Sequence, residues 1–233
     1  MTDGLPCVVF DLDGTLIESE QIWRDVRREF VNTHGGMWHD GAQSAMIGMR
    51  TQEWAQYIHD DLGVDLAPAA IAKQVVEEVT ARLQDVPILP GANEALARLA
   101  RNFRLGLATS AALPVAQSVL SKTGWNELFA VVVSADQVSR GKPAPDVYLR
   151  AVELLRAQPP QTAAVEDSEN GIWSAYRAKL AVVAIPNHAF PPDAAALALA
   201  SRVLARLNEL DAAVVYDALH RHAVTSARLG ESH

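Results

Sequence analysis

The sequence predicts an α/β protein: a parallel sheet core, interrupted just after its first strand by an all-helical insert. Three observations carry this. Short apolar runs without alternation, such as Cys7-Val8-Val9-Phe10 and Ala163-Ala164-Val165, read as strands buried on both faces. Amphipathic stretches of helical period stand between such runs, which gives the βα alternation of a parallel sheet. From Ile17 to Val86, by contrast, the pattern is helical throughout, with no strand-like alternation.

Taken in order, the first strand ends in Asp11-Leu12-Asp13-Gly14-Thr15, where two carboxylates one residue apart meet a Gly-Thr turn. In the insert, Trp23, Val26, Phe30 and Val31 fall at near-helical spacing. Gly35-Gly36 and Gly48 interrupt the pattern, Thr51 starts a helix carrying Trp54 and Ile58, and Pro68 to Leu83 forms another. Pro87-Ile88-Leu89-Pro90-Gly91 breaks the helical run and returns the chain to the core. The alternation then resumes, with strands at Leu105–Thr109, Phe129–Ser134, Ala163–Glu166 and Ala181–Ile185 and an edge strand at Ser201–Leu204. Helices at Ala92–Arg101, Pro114–Thr123, Pro145–Arg156, Asn170–Lys179 and Asp193–Ala200 separate them, and a last helix from about Asp211 frays after Val224. The expected architecture is a Rossmann-like parallel sheet core, residues 1–16 and 88–233, with an inserted all-helical cap domain, residues 17–87. Hinges near Leu16-Ile17 and Pro87–Pro90 would let the cap move as a lid.

Composition narrows the function classes. The 233 residues are 49% hydrophobic and 21% charged, as in a globular protein with a sizeable core. A net charge of −8 argues against sequence-independent nucleic-acid binding, which needs a basic face. A single cysteine, Cys7, excludes an internal disulfide framework, and inside an apolar strand it reads as a buried inert thiol. With no signal-like segment and no membrane-length apolar run, the expected location is cytoplasmic and the expected state a monomer that binds neither nucleic acid nor membrane.

In an open α/β sheet, ligands bind beyond the carboxyl ends of the strands. There stand Asp11 and Asp13 after the first strand, Thr109 and Ser110 after the second, and Glu166 and Asp167 after a later one. Lys142 lies in the loop after Val131–Val133. The acids suit Mg²⁺, a hard cation that prefers oxygen ligands. The hydroxyls, free backbone N–H groups and Lys142 suit an anionic group such as phosphate. One carboxylate can act as nucleophile and another as acid and base.

Four motifs give this inventory a family resemblance: Asp11-Leu12-Asp13-Gly14-Thr15; Ala108-Thr109-Ser110; Gly141-Lys142-Pro143-Ala144-Pro145-Asp146; and Val165-Glu166-Asp167-Ser168-Glu169-Asn170-Gly171-Ile172. Together they resemble the haloacid dehalogenase (HAD) superfamily, in its phosphatase and β-phosphoglucomutase-like branch with a helical cap. The resemblance implies Asp11 as a nucleophile that forms an aspartyl-phosphate. It implies Asp13 as the group that protonates the leaving oxygen and then activates water, its backbone carbonyl ligating Mg²⁺. Asp167 would be the third protein ligand of the metal and Glu166 a further candidate behind it. Thr109 and the Ser110 N–H would bind phosphate, and Lys142 would neutralise Asp11 and the transferring group. The segment Gly48 to Glu53 is similar to one that lowers an arginine onto the substrate in related phosphatases, so Arg50 either pairs with a substrate anion or caps its helix.

The implied activity is a Mg²⁺-dependent phosphomonoesterase acting on a small, sugar-like phosphorylated metabolite. Two alternatives stand beside it: a hexose-phosphate mutase, and a non-catalytic phosphometabolite-binding protein. Mutases of the branch carry His at the position of Trp23 and polar residues at those of Ala112 and Leu113. Asp13 argues against dehalogenation, because a leaving halide needs no proton.

Overall fold

A computed structural model describes residues 5–230 apart from positions 84 and 189. Its sheet has six strands: β1 (Cys7–Phe10), β2 (Arg104–Thr109), β3 (Phe129–Ser134), β4 (Thr162–Glu166), β5 (Ala181–Ala184) and β6 (Arg202–Val203). They lie side by side in the order β3-β2-β1-β4-β5-β6, and every pairing is parallel. β1 is therefore central, with Phe10 opposite Leu107 on one side and Val165 on the other. The carboxyl ends of β1, β2 and β4 are level as a result, which brings their terminal residues to one edge.

Alternation along the strands divides the core in two. Val8 and Phe10 point to one face with Leu105, Leu107, Ala163, Val165 and Val183, while Cys7 and Val9 point to the other with Ala164, Val182 and Ala184. The second face is covered by α7 (Asp146–Leu154), α8 (Glu169–Arg177) and α9 (Ala194–Leu197). The first face is covered by α5 (Ala92–Leu99), α6 (Leu113–Thr123) and α10 (Ala212–Gly230). Both layers are dense in Val, Leu and Ala, so all of β1 is buried.

The insert contains α1 (Glu20–Thr33), α2 (Ala42–Met46), α3 (Thr51–Asp60) and α4 (Pro68–Arg82). α2 is an addition to the sequence reading: five residues are too few to show a period, and buried Ala42, Gln43 and Met46 hold it. The other difference is α10, a helix through Gly230 rather than one frayed after Val224. Residues 223–227 there are exposed, so local helix propensity carries that stretch, after the Arg221–Asp217 pair one turn earlier. Among the described residues no helix is long and apolar enough to cross a membrane.

The two crossings between insert and sheet run together. Ile17 bridges antiparallel to Ile88, the Glu18 N–H donates to Pro87 O at 2.8 Å, and the Leu89 N–H donates to Leu16 O at 3.0 Å. One apolar cluster continues from Phe10 through Leu12, Leu16 and Ile17 to Trp23 and Trp54 in the insert. Phe10, edge-on to Phe129 with ring centroids 6.3 Å apart, anchors that cluster at the sheet. Phe10→Ala should cost about 3–5 kcal/mol in urea unfolding, the range for deleting a buried aromatic ring. A loss below about 1 kcal/mol would show that the site collapses around the cavity.

Candidate active site

Asp11 leaves β1 still paired to the sheet, its N–H donating to Val165 O at 3.0 Å. The chain then turns sharply, with the Gly14 N–H on Ile17 O at 2.8 Å. Gly14 has φ +85°, and a Cβ there would lie 2.2 Å from Asp167 Oδ2. Only glycine lets the turn adopt this conformation and press against the carboxylate arriving from β4. The next residue, Thr15, donates its hydroxyl to Asp167 Oδ1 at 2.7 Å, so the first loop fixes the Asp167 side chain directly.

Lys142 reaches in from the loop after β3 and is buried. Its Nζ donates to Asp11 Oδ1 and to Glu166 Oε1, each at 2.5 Å. Glu166 is saturated: Oε1 also accepts from Tyr148 Oη at 2.8 Å, and Oε2 accepts the Asp167 N–H at 3.1 Å, the Ser168 N–H at 3.3 Å and Ser168 Oγ at 3.2 Å. Glu166 thus behaves as the anchor of Lys142. Asp11, Glu166 and Asp167 each offer a carboxylate oxygen, all within 4.8 Å of one another. With all three carboxylates ionised, the single ammonium would leave the cluster two negative charges in excess.

That excess is visible in the protonation equilibria. Burial pushes Asp11 up to about 8, with Lys142 pulling the other way and Glu166 and Asp13 adding to the rise. Burial also raises Asp167 well above the usual carboxylate range, reinforced by Glu166 and Asp11. Burial opposes the charge on Lys142, yet Asp11 and Glu166 together hold its affinity for a proton above the ordinary value.

Asp13 belongs to a different set of partners. Its side chain turns toward the root of the insert, where Ser19 Oγ donates to Oδ1, Trp23 Nε1–H donates to Oδ1 at 3.2 Å and Thr109 Oγ1 donates to Oδ2 at 3.4 Å. Thr109 is fully buried and also accepts the Ala111 N–H at 3.0 Å. The two carboxylates one residue apart therefore have distinct surroundings, one against an ammonium and the other against hydroxyls and an indole.

A cavity of about 360 Å³ opens between the insert and this edge, lined by Asp11, Asp13, Glu20, Ser110, Lys142, Asp167, Asn170 and Asn187 among others. The segment 47–51 forms its roof. Ser110 Oγ donates to Gly48 O and Asn170 Nδ2 to Ile47 O, both at 3.2 Å, and Asp136 accepts from the Thr51 N–H at 3.1 Å and from Thr51 Oγ1 at 2.7 Å. Arg50 is occupied in the same roof. Its Nε donates to Glu53 Oε1 at 3.0 Å, its N–H to Glu53 Oε2 at 2.8 Å and its Nη1 to Val138 O at 3.1 Å, so it caps α3 and ties it to the loop after β3, outside the cavity lining. Of the sequence-derived site residues, Asp11, Lys142, Glu166 and Asp167 converge on one point. Asp13, Thr109 and Ser110 lie beside them, and Arg50 does not join them.

Sequence reasoning missed Tyr148, Glu20 and Asn187. Asn187 had a usable signal, since it follows the end of β5 at the same sheet edge. Tyr148 had none, because its role depends on α7 packing across the sheet so that its hydroxyl reaches Glu166 at the end of β4.

Residues 8–185 match the model of the haloacid dehalogenase-like hydrolase family, and the chain belongs to that family. It is 31% identical over 181 residues to the fructose-1-phosphate phosphatase of Escherichia coli, covering 76% of this chain and 94% of that one. It is 32% identical over 184 residues to the bifunctional riboflavin kinase/FMN phosphatase of Arabidopsis thaliana; this covers 78% of the chain but spans only 48% of the longer plant protein. Among solved structures, the CbbY protein of Rhodobacter sphaeroides in complex with phosphate superposes with a TM-score of 0.82. That match has 27% identity and covers 91% of this chain and 99% of that one.

Gly171, in the first turn of α8, tests the anchoring of Lys142. A Cβ there would sit 2.0 Å from both oxygens of the Glu166 carboxylate. In an open helix Gly→Ala gains up to about 1 kcal/mol. Here Gly171→Ala should instead lose about 1–3 kcal/mol by overpacking and displace Glu166 from Lys142. A variant with a higher urea midpoint than the native chain would contradict the arrangement.

Proposed function

We propose that the chain is a Mg²⁺-dependent phosphomonoesterase that acts through an aspartyl-phosphate on a small, sugar-like phosphate. The observation that carries the reading is the division of labour between two carboxylates at one cavity. Lys142 holds Asp11 by one carboxylate oxygen, while Asp13 sits at the insert root among hydrogen-bond donors.

Attack by an Asp11 carboxylate oxygen on phosphorus forms one P–O bond and breaks the bond to the leaving oxygen. Asp13 gives that oxygen its proton. Asp13 then takes a proton from a water molecule, which attacks the phosphorus and releases Asp11 with inorganic phosphate. Lys142 stays cationic throughout and offsets charge on Asp11 and on the phosphoryl oxygens. Thr109, held by the Ala111 N–H, orients Asp13, and with the Ser110 N–H would bind the phosphate.

The donor set fits Mg²⁺: the ligand atoms are hard oxygens, and two surplus negative charges match a divalent cation. Asp11, Asp167 and the backbone carbonyl of Asp13 would hold the ion, with Glu166 behind them. When bound it would supply positive charge against the phosphoryl oxygens. The phosphatase relatives support hydrolysis, and Trp23 favours it over mutase chemistry. The indole N–H can position Asp13 but, unlike an imidazole, exchanges no proton near neutral pH.

Phosphate release from a panel of sugar monophosphates tests this. Asp11→Asn should lower turnover by about a thousandfold or more, the scale of losing a nucleophile. Near-normal release by that variant would remove Asp11 from the role. Chelation should abolish activity and Mg²⁺ restore it. Because metal-free Asp11 is held near about 8, Mg²⁺ binding at neutral pH should expel a proton, measurable by calorimetry in buffers of different ionisation enthalpy. Activity in metal-stripped protein, or binding without proton release, would count against the metal assignment.

A further inference from the structure

Beyond Asp13 the cavity runs into a smaller recess of about 50 Å³ at the foot of the insert, lined by Asp13, Glu20, Trp23, Arg27, Trp54 and Ser110 among others. Asp13, Glu20 and Ser110 border both spaces, so the recess lies on the leaving-group side of the reacting centre. Glu20, Trp23 and Arg27 share one face of α1, at spacings of three and four residues.

Arg27 is the unusual member. It is only 6% exposed, and its guanidinium carbon lies 4.7 Å from the Trp23 ring centroid and 5.0 Å from that of Trp54. Nη1 donates to Gln43 Oε1 at a long 3.4 Å, and Nε is buried without a hydrogen-bond partner among the described residues. Gln43 in turn donates to Glu20 Oε2 at 3.0 Å. Burial lowers Arg27 to about 10, so it remains a cation at neutral pH, supported by the fields of Glu20 and Asp13. Burying a guanidinium with donors unmet costs free energy that the packing around it does not recover. Nη1 is held only by the long bond to Gln43 and Arg27 lines the recess, so a ligand there can offer the guanidinium a better acceptor.

The recess also decides what kind of ligand. Glu20 is an acceptor, and burial together with the Asp13 charge already raises its affinity for a proton. Glu20 offsets the charge of Arg27, so a further anion entering there finds no net positive field and meets the Glu20 carboxylate directly. Hydroxyl groups meet none: they donate to Glu20, accept from Arg27, and leave their C–H surface to the two indole rings. We propose that Arg27, with Glu20 and Gln43, reads the leaving group and selects a neutral polyhydroxylated alcohol over one bearing a second phosphate or a carboxylate. This rests on the phosphomonoesterase reading, and deepens it.

The test compares kcat and KM, with Mg²⁺ present, for a hexitol monophosphate, a hexose bisphosphate, phosphoglycolate and p-nitrophenyl phosphate. The native enzyme should favour the hexitol monophosphate over the bisphosphate and phosphoglycolate by about tenfold or more in kcat/KM, within the range that a few hydrogen bonds and charges supply. Arg27→Met should raise KM for the hexitol phosphate about tenfold, with a smaller change in kcat, and lower its preference over p-nitrophenyl phosphate; Arg27→Lys should recover part of that preference. A native preference for the bisphosphate or phosphoglycolate overturns the proposal, and so does an Arg27→Met variant that keeps the native ranking. The native ranking decides alone if the variant does not fold. No phosphate release even from p-nitrophenyl phosphate would overturn the phosphomonoesterase reading instead, and this inference with it.

Discussion

The clasp of Lys142 between Asp11 and Glu166 is the constraint on which the rest of the structure depends. Its three residues come from β1, from the loop after β3 and from the end of β4, so it closes only when those strands stand level. A buried ion pair is a weak source of stability, because desolvation offsets much of the attraction. The clasp is sustained by full satisfaction of its far side, where Tyr148 and the start of α8 meet both oxygens of Glu166. The near side stays short of positive charge, and that shortage is the chemical opportunity. A divalent cation held there would restore the balance that Lys142 alone leaves incomplete.

The insert contributes more than a cover. Asp13 belongs to the core loop, but Ser19 and Trp23 at the root of α1 help aim its side chain, with Thr109 on the other side. Two acids one residue apart thereby acquire different surroundings. The roof segment 47–51 is likewise joined to core loops by Ser110, Asn170, Asp136 and Val138, while the paired linkers at Ile17 and Ile88 form a narrow joint. A phosphate enclosed there would be shielded from bulk water but remain in reach of a single activated one.

Much of this was legible in the chain. Apolar runs without alternation require burial on both faces, and helical periods between them require crossovers, so the strands β1 to β5 and most helices follow from local pattern. Asp11, Lys142, Glu166 and Asp167 were legible too, since chemistry in a parallel sheet gathers at the carboxyl edge. Short α2 and the unpacked end of α10 were less so, for the one lacks a period and the other lacks a partner.

Tertiary structure alone decided the central place of β1, the partners of each carboxylate and the duties of the cationic side chains. Arg50 and Arg27 look alike in sequence, each a basic residue among helical insert residues. Packing gives the first a capping carboxylate and a core carbonyl, and leaves the second buried between two indoles with a donor unmet. Tyr148 reads as an ordinary helix residue until α7 is laid on the sheet and its hydroxyl meets Glu166. Sequence pattern fixes which residues can be buried or stand at a strand end, because those depend on neighbours a few positions away. What a charged side chain does once there depends on groups scores of residues distant, and only the folded chain brings them within hydrogen-bonding range.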